Sequence, residues 1–154
     1  MSEIFKKLNL KDQAEIVVLN APGSFTPALD ALQGVTVRRD LGSVTAVDFL
    51  LAFVTQQAEV EAAAQAVAVK ARGDAVVWFA YPKASSKKYT CEINRDNGWD
   101  ALGQAGFEPV RQVAIDEDWS AVRFRRVAYI KKLTRAAAHR LSEEGKARAE
   151  KDET

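Results

Sequence analysis

Three short segments hold the residues of this chain best suited to gripping a ligand. In Asn20-Ala21-Pro22-Gly23-Ser24, the backbone and side chains of Asn20, Gly23 and Ser24 stand just after an apolar run. Where such a run is a strand leading into a helix, this turn turns N–H groups toward a crevice. In Pro82-Lys83-Ala84-Ser85-Ser86-Lys87-Lys88, the ammonium groups of Lys83, Lys87 and Lys88 and the hydroxyl of Ser85 suit a phosphate or carboxylate. In Asp116-Glu117-Asp118-Trp119-Ser120, Asp116 offers a carboxylate to oppose a lysine and Trp119 an aromatic wall for a polar pocket. A solvated loop and ordinary turn residues explain the last two compositions equally well, and that plainer reading is preferred for each.

Other chemistry is thinner. Asp116 and Asp118 would share a side if the chain there is extended, but nothing specifies a proton-transfer partner. Cys91 follows Thr90 beside the lysine-rich loop, which would favour its thiolate, yet no histidine lies near it in sequence. His139 sits in an alanine-rich charged stretch and reads as a solvated side chain. With one cysteine and one histidine the chain cannot supply the usual zinc or iron–sulfur ligand sets, so no metal site is expected. Arg123, Arg125, Arg126, Lys131, Lys132 and Arg135 form the densest basic stretch. On a strand Arg123 and Arg125 share one face while Val122 and Phe124 pack on the other. Such a stripe suits nucleic-acid phosphates, or guards an exposed edge strand against aggregation. The protective reading is preferred.

Composition limits the rest. A chain of 154 residues with 47% hydrophobic residues suffices for one domain with a sizeable core. Its 22 basic and 21 acidic side chains leave a formal charge of +1, which removes any global argument for nucleic acid or a membrane surface. The start lacks a signal-peptide core, the longest apolar stretch is too short to span a bilayer, and a lone cysteine fits a reducing compartment. A cytoplasmic protein is expected.

The elements that must position these residues alternate. Ile4 to Leu8 reads as a helical turn. Glu15 to Asn20, Val35 to Arg39, Ala46 to Val54 and Ala75 to Ala80 read as strands, the first, third and fourth apolar enough for burial on both faces. Thr26-Pro27 starts a short helix that Gly34 closes. A longer helix, capped by Thr55 and stopped by Gly73, carries Val60, Ala63, Ala64, Val67 and Ala71 on one face. Asn94 or Asp96 starts a further helix through Trp99 and Leu102 to Gly106. Phe107 to Ile115 and Ala121 to Ile130 form an antiparallel hairpin. Residues 1–130 are thus one α/β domain, and 131–154 a charged helical extension of mixed sign. The pattern predicts a three-layer Rossmann-like sheet, mostly parallel, with a C-terminal antiparallel hairpin and a C-terminal helix.

The words Val17-Val18-Leu19-Asn20-Ala21-Pro22, Trp78-Phe79-Ala80-Tyr81-Pro82-Lys83 and Ala114-Ile115-Asp116-Glu117-Asp118-Trp119-Ser120 together resemble a small bacterial family of domains of unknown function. The resemblance covers roughly Leu10 to Val127. It implies a shortened Rossmann fold related to S-adenosylmethionine-dependent methyltransferases, and it implies no activity. A methyltransferase would place several glycines and an acidic residue in the first turn, and an acidic residue at the end of the second strand. Here the turn has one glycine and a proline without an N–H, and Asp40 lies just past the second strand. The expectation is therefore a non-catalytic or degenerate Rossmann-like domain without cofactor, binding a small anionic ligand or a protein partner. The alternatives are an S-adenosylmethionine-dependent methyltransferase with an atypical turn, and a nucleic-acid accessory protein.

Overall fold

The computed structural model describes residues 3–91, 93 and 98–130. Its centre is dictated by the most apolar run. Strand β3 (Val47–Phe53) buries every residue except Asp48, and a strand apolar on both sides needs cover on both. It lies inside a six-stranded sheet built with β1 (Glu15–Leu19), β2 (Thr36–Arg38), β4 (Ala71–Pro82), β5 (Phe107–Ala114) and β6 (Trp119–Arg126), ordered β2-β1-β3-β4-β6-β5. The first four strands are parallel, and β6 runs antiparallel to both β4 and β5. This is the mostly parallel α/β sheet with a terminal hairpin that the alternating pattern predicts.

Each face has its own cover. On one, α3 (Gln57–Lys70) lays Val60, Ala63, Ala64 and Val67 against Leu50, Ala52, Val77 and Phe79, beside Leu102 of α4 (Asp100–Gln104). The alanines let the helix approach the sheet closely. On the other, Phe5 of α1 (Glu3–Lys7), Phe25 just before α2 (Thr26–Asp30) and Leu29 within it cover Ile16, Val18, Phe49, Leu51 and Phe53. Trp78 of β4 joins this second layer. Its indole Nε1 donates to the Leu8 carbonyl at 2.8 Å, in a fully buried setting.

Several boundaries differ from the sequence reading. Helix α3 stops at Lys70 and runs straight into β4, so Arg72 and Gly73 belong to the strand. Ala71 pairs with Val47, and Arg72 Nε donates to Asp48 Oδ1 at 2.9 Å, so strand pairing overrides the helical spacing of Ala71 and Gly73. Gln56, not Thr55, caps α3, in a reciprocal box with Glu59. Thr26 is the first residue of α2 rather than its cap, because Gly23–Phe25 already forms a 3-10 turn. Strand β6 is not an edge: β4 and β5 flank it, so Arg123 and Arg125 do not guard an exposed ladder. Asn94, Asp96, His139, Lys131, Lys132, Arg135 and the expected C-terminal helix lie outside the described residues.

Candidate functional site

Parallel strands β1, β3 and β4 end on one edge of the sheet. From β1 the chain crosses to β2 on one side and then returns to β3 on the other, so the order reverses between β1 and β3. Loops diverge at such a point and leave a crevice. Asn20 sits there with φ +57, a left-handed conformation that asparagine tolerates better than most residues. Its Nδ2 donates to the Phe53 carbonyl at 3.4 Å and to Glu59 Oε2 at 3.3 Å. Glu59 is drawn to the crevice by the first turn of α3, where its Oε1 accepts from Thr55 N at 2.9 Å, Thr55 Oγ1 at 3.3 Å and Gln56 N at 3.1 Å. One carboxylate oxygen is thus committed to the helix cap, while among the described residues the other meets only the long contact from Asn20.

Gly23 and Ser24 are exposed beside this network, and a Cβ on Gly23 would meet nothing within 4 Å. Asp40, just past β2, is also exposed, with Oδ1 accepting from Ser43 N at 2.7 Å.

The other two segments reach the same edge by a different route. Pro82 of β4 pairs with Trp119 of β6, which places the β5–β6 turn beside the lysine loop. Lys83 N donates to the Asp118 carbonyl at 2.8 Å and Ser86 Oγ to Asp118 Oδ1 at 2.8 Å. The loop is therefore fastened to the turn through Ser86 and the backbone of Lys83. Lys83, Ser85, Lys87 and Lys88 show no side-chain ion pair among the described residues. Asp116 shapes the turn, its Oδ1 accepting from Asp118 N at 2.8 Å and Trp119 N at 2.9 Å. Asp116 and Asp118 thus serve the turn and the loop, and are not a matched acid–base pair.

An aromatic row joins all three segments under the edge. Phe25 meets Phe53 at 5.1 Å between ring centroids, Phe53 meets Trp119 at 5.1 Å, and Trp119 meets Tyr89 at 4.9 Å. Trp119 is buried rather than forming an open wall, and among the described residues its Nε1 has no hydrogen-bond partner. The sequence alone does not single out Glu59, Phe53 or Tyr89 as residues of this site. The Gln56–Glu59 spacing carried a signal for the cap, but nothing local signals that Glu59 also reaches Asn20. Cys91 is partly buried against the α3 side of the core.

Such a sheet, with covering helices on both faces and its strand order reversing between β1 and β3, defines a Rossmann-like fold of the methyltransferase-like type. Solved structures agree. A SAM-dependent methyltransferase from Aquifex aeolicus superposes with a TM-score of 0.59 at 14% identity, over 81% of this chain and 88% of that one. The pyocyanin biosynthetic protein PhzM gives 0.53 at 15% identity, over 81% of this chain and 53% of its own. At these identities the likeness is one of fold. No protein-family model matches the sequence, and no curated protein matches it significantly. Among the described residues, no helix is long and apolar enough to cross a membrane.

Proposed function

We propose that this chain binds S-adenosylmethionine in the crevice between the ends of β1 and β3, and works as a methyltransferase with an atypical cofactor turn. The comparisons favour this over a non-catalytic domain without cofactor, since the Aquifex aeolicus methyltransferase is matched over most of both chains. The observation that carries the proposal is the carboxylate of Glu59 held at the topological switch point with one oxygen lightly engaged.

The residues present fit the cofactor's chemistry. Its α-ammonium group needs an anionic acceptor, and Glu59 Oε2 supplies one although the turn after β1 has no acid. Its ribose hydroxyls need an acceptor near the end of β2, where Asp40 is exposed. The open space above Gly23 leaves room for a close approach of the ligand to the backbone. Bound S-adenosylmethionine supplies an electrophilic methyl group on a sulfonium sulfur. Asn20 holds Glu59 in place, Asp40 anchors the sugar, and the aromatic row keeps water from beneath the edge. The lysine loop begins one strand beyond β3, roughly 5 Å along the edge, where Lys83 and Ser85 would face the methyl acceptor.

Titration calorimetry with S-adenosylmethionine and its demethylated product tests this. Micromolar binding is expected, weakened about tenfold in Glu59→Gln, which keeps the capping oxygen but removes the charge. No heat at two temperatures, or binding indifferent to Glu59→Gln, would remove the proposal.

A further inference from the structure

Arg123 and Arg111 are direct cross-strand neighbours on β6 and β5. They lie on the sheet face opposite α3, alongside Arg125, because Val122 and Phe124 point into the α3 side. Like charges placed opposite each other in a ladder repel. Arg125 has its own counter-ion, donating through Nε at 2.8 Å and a terminal nitrogen at 2.6 Å to Asp74. Arg126 turns to the other face, donates to the Ala71 carbonyl at 2.7 Å and covers the Phe107 ring. Arg111 and Arg123 have neither arrangement: no ion pair or hydrogen bond engages either side chain among the described residues. The Nε of Arg123 is buried without a partner among the described residues, which costs free energy unless a bound acceptor completes it. Burial first, and then repulsion from Arg125 and Arg111, lowers the pKa of Arg123 against the pull of Asp74. An interior strand does not need this charge for edge protection.

We propose that Arg111 and Arg123 form an oxyanion site that takes a phosphate group on the β5–β6 face, separate from the crevice at the strand ends. Two guanidinium groups side by side present several N–H donors to one phosphate, in the forked geometry that arginine favours. Arg111 is exposed and Arg123 half-buried, so the anion is reached from solvent and seats against the strand. Arg123 lies four residues along β6 from Trp119, roughly 13 Å from the edge, so the site does not depend on the crevice or its ligand. The phosphate comes either as a free phosphate ester or as the phosphodiester of a nucleic-acid strand.

The test uses the full chain in phosphate-free buffer, with inorganic pyrophosphate and a ten-nucleotide single-stranded RNA as probes. Thermal unfolding and titration calorimetry are read for the wild type, Arg123→Met and Arg111→Gln. At about a hundredfold excess over Kd the probe should raise the wild-type Tm by roughly 5 °C or more. Each variant should weaken binding at least tenfold or so. Arg123→Met alone, with no probe, should melt no lower than the wild type, because it removes an unpaired buried donor and its repulsion. Response to pyrophosphate assigns a free phosphate ester, and response to RNA alone assigns a phosphodiester strand. No response to either probe, equal response in both variants, or a marked loss of stability in probe-free Arg123→Met would overturn the site.

Discussion

At the scale of single residues, the backbone angle and side chain of Asn20 have separable roles. Its positive φ makes a β-carbon uncomfortable, while its Nδ2 reaches Phe53 and Glu59. Asn20→Gly should therefore keep stability within about 0.5 kcal/mol, whereas Asn20→Ala, which keeps the strain and loses the bonds, should cost about 1–2 kcal/mol in urea unfolding. If Asn20 orients Glu59 for the cofactor, Asn20→Gly should still weaken binding of the demethylated product by about threefold or more. Unchanged affinity in that variant would reduce Asn20 to a turn former. The sequence made Asn20, Gly23 and Ser24 legible as a group because they follow an unmistakable strand. Glu59 was not legible as their neighbour, since 39 residues separate it from Asn20 and only the parallel pairing of β1 with β3 brings them together. The two aspartates of the β5–β6 turn were legible as turn residues, and Asp116 is one by its bonds to Asp118 N and Trp119 N.

At the scale of elements, what was legible follows from burial. β1, β3 and β4 are dense runs of branched and aromatic residues, so their existence needs no tertiary information. Their boundaries do, as Ala71 shows by continuing a helical stripe and yet pairing with Val47 in β4. The order of the hairpin strands was read the wrong way round, although Pro109 carried a signal for it. Pro109 lacks an N–H and so belongs on an edge, and β5, which holds it, is the edge, leaving β6 inside. The short helix α1 has too few residues to persist alone. Its attachment comes from Phe5 and Leu8 in the core and from the Trp78 indole bonded to the Leu8 carbonyl across 70 residues of sequence. Trp78→Phe would leave that carbonyl without its donor and a small void beside it. A loss of about 2–3 kcal/mol in urea unfolding is expected. A loss below about 0.5 kcal/mol would mean that apolar contact alone docks α1.

At the scale of the whole molecule, the sheet carries two proposed sites that share no residue. The crevice lies among β1, β2, β3 and the start of α3, and the oxyanion site on β5 and β6. The stability of the sheet is uneven between them. β2 has three residues, none buried, whereas β3 and β4 are buried along most of their length. Amide exchange should therefore be fastest in β2 and slowest in β3 and β4. A ligand in the crevice would add contacts where intrinsic protection is weakest. The demethylated product should slow exchange at Ser24, Leu41 to Ser43 and Thr55 to Gln57, and leave Arg111 to Ala114 and Ala121 to Arg125 unaltered. Pyrophosphate should do the reverse. Protection by both ligands over the same amides would mean one site or a coupled pair, and would contradict the separation argued from the strand order. Protection by the product confined to the lysine loop would move the cofactor from the β1–β3 crevice to the end of β4. The outcome is informative because β4 lies between the two sites and opens last together with β3, so local changes on either side are not blurred by global unfolding.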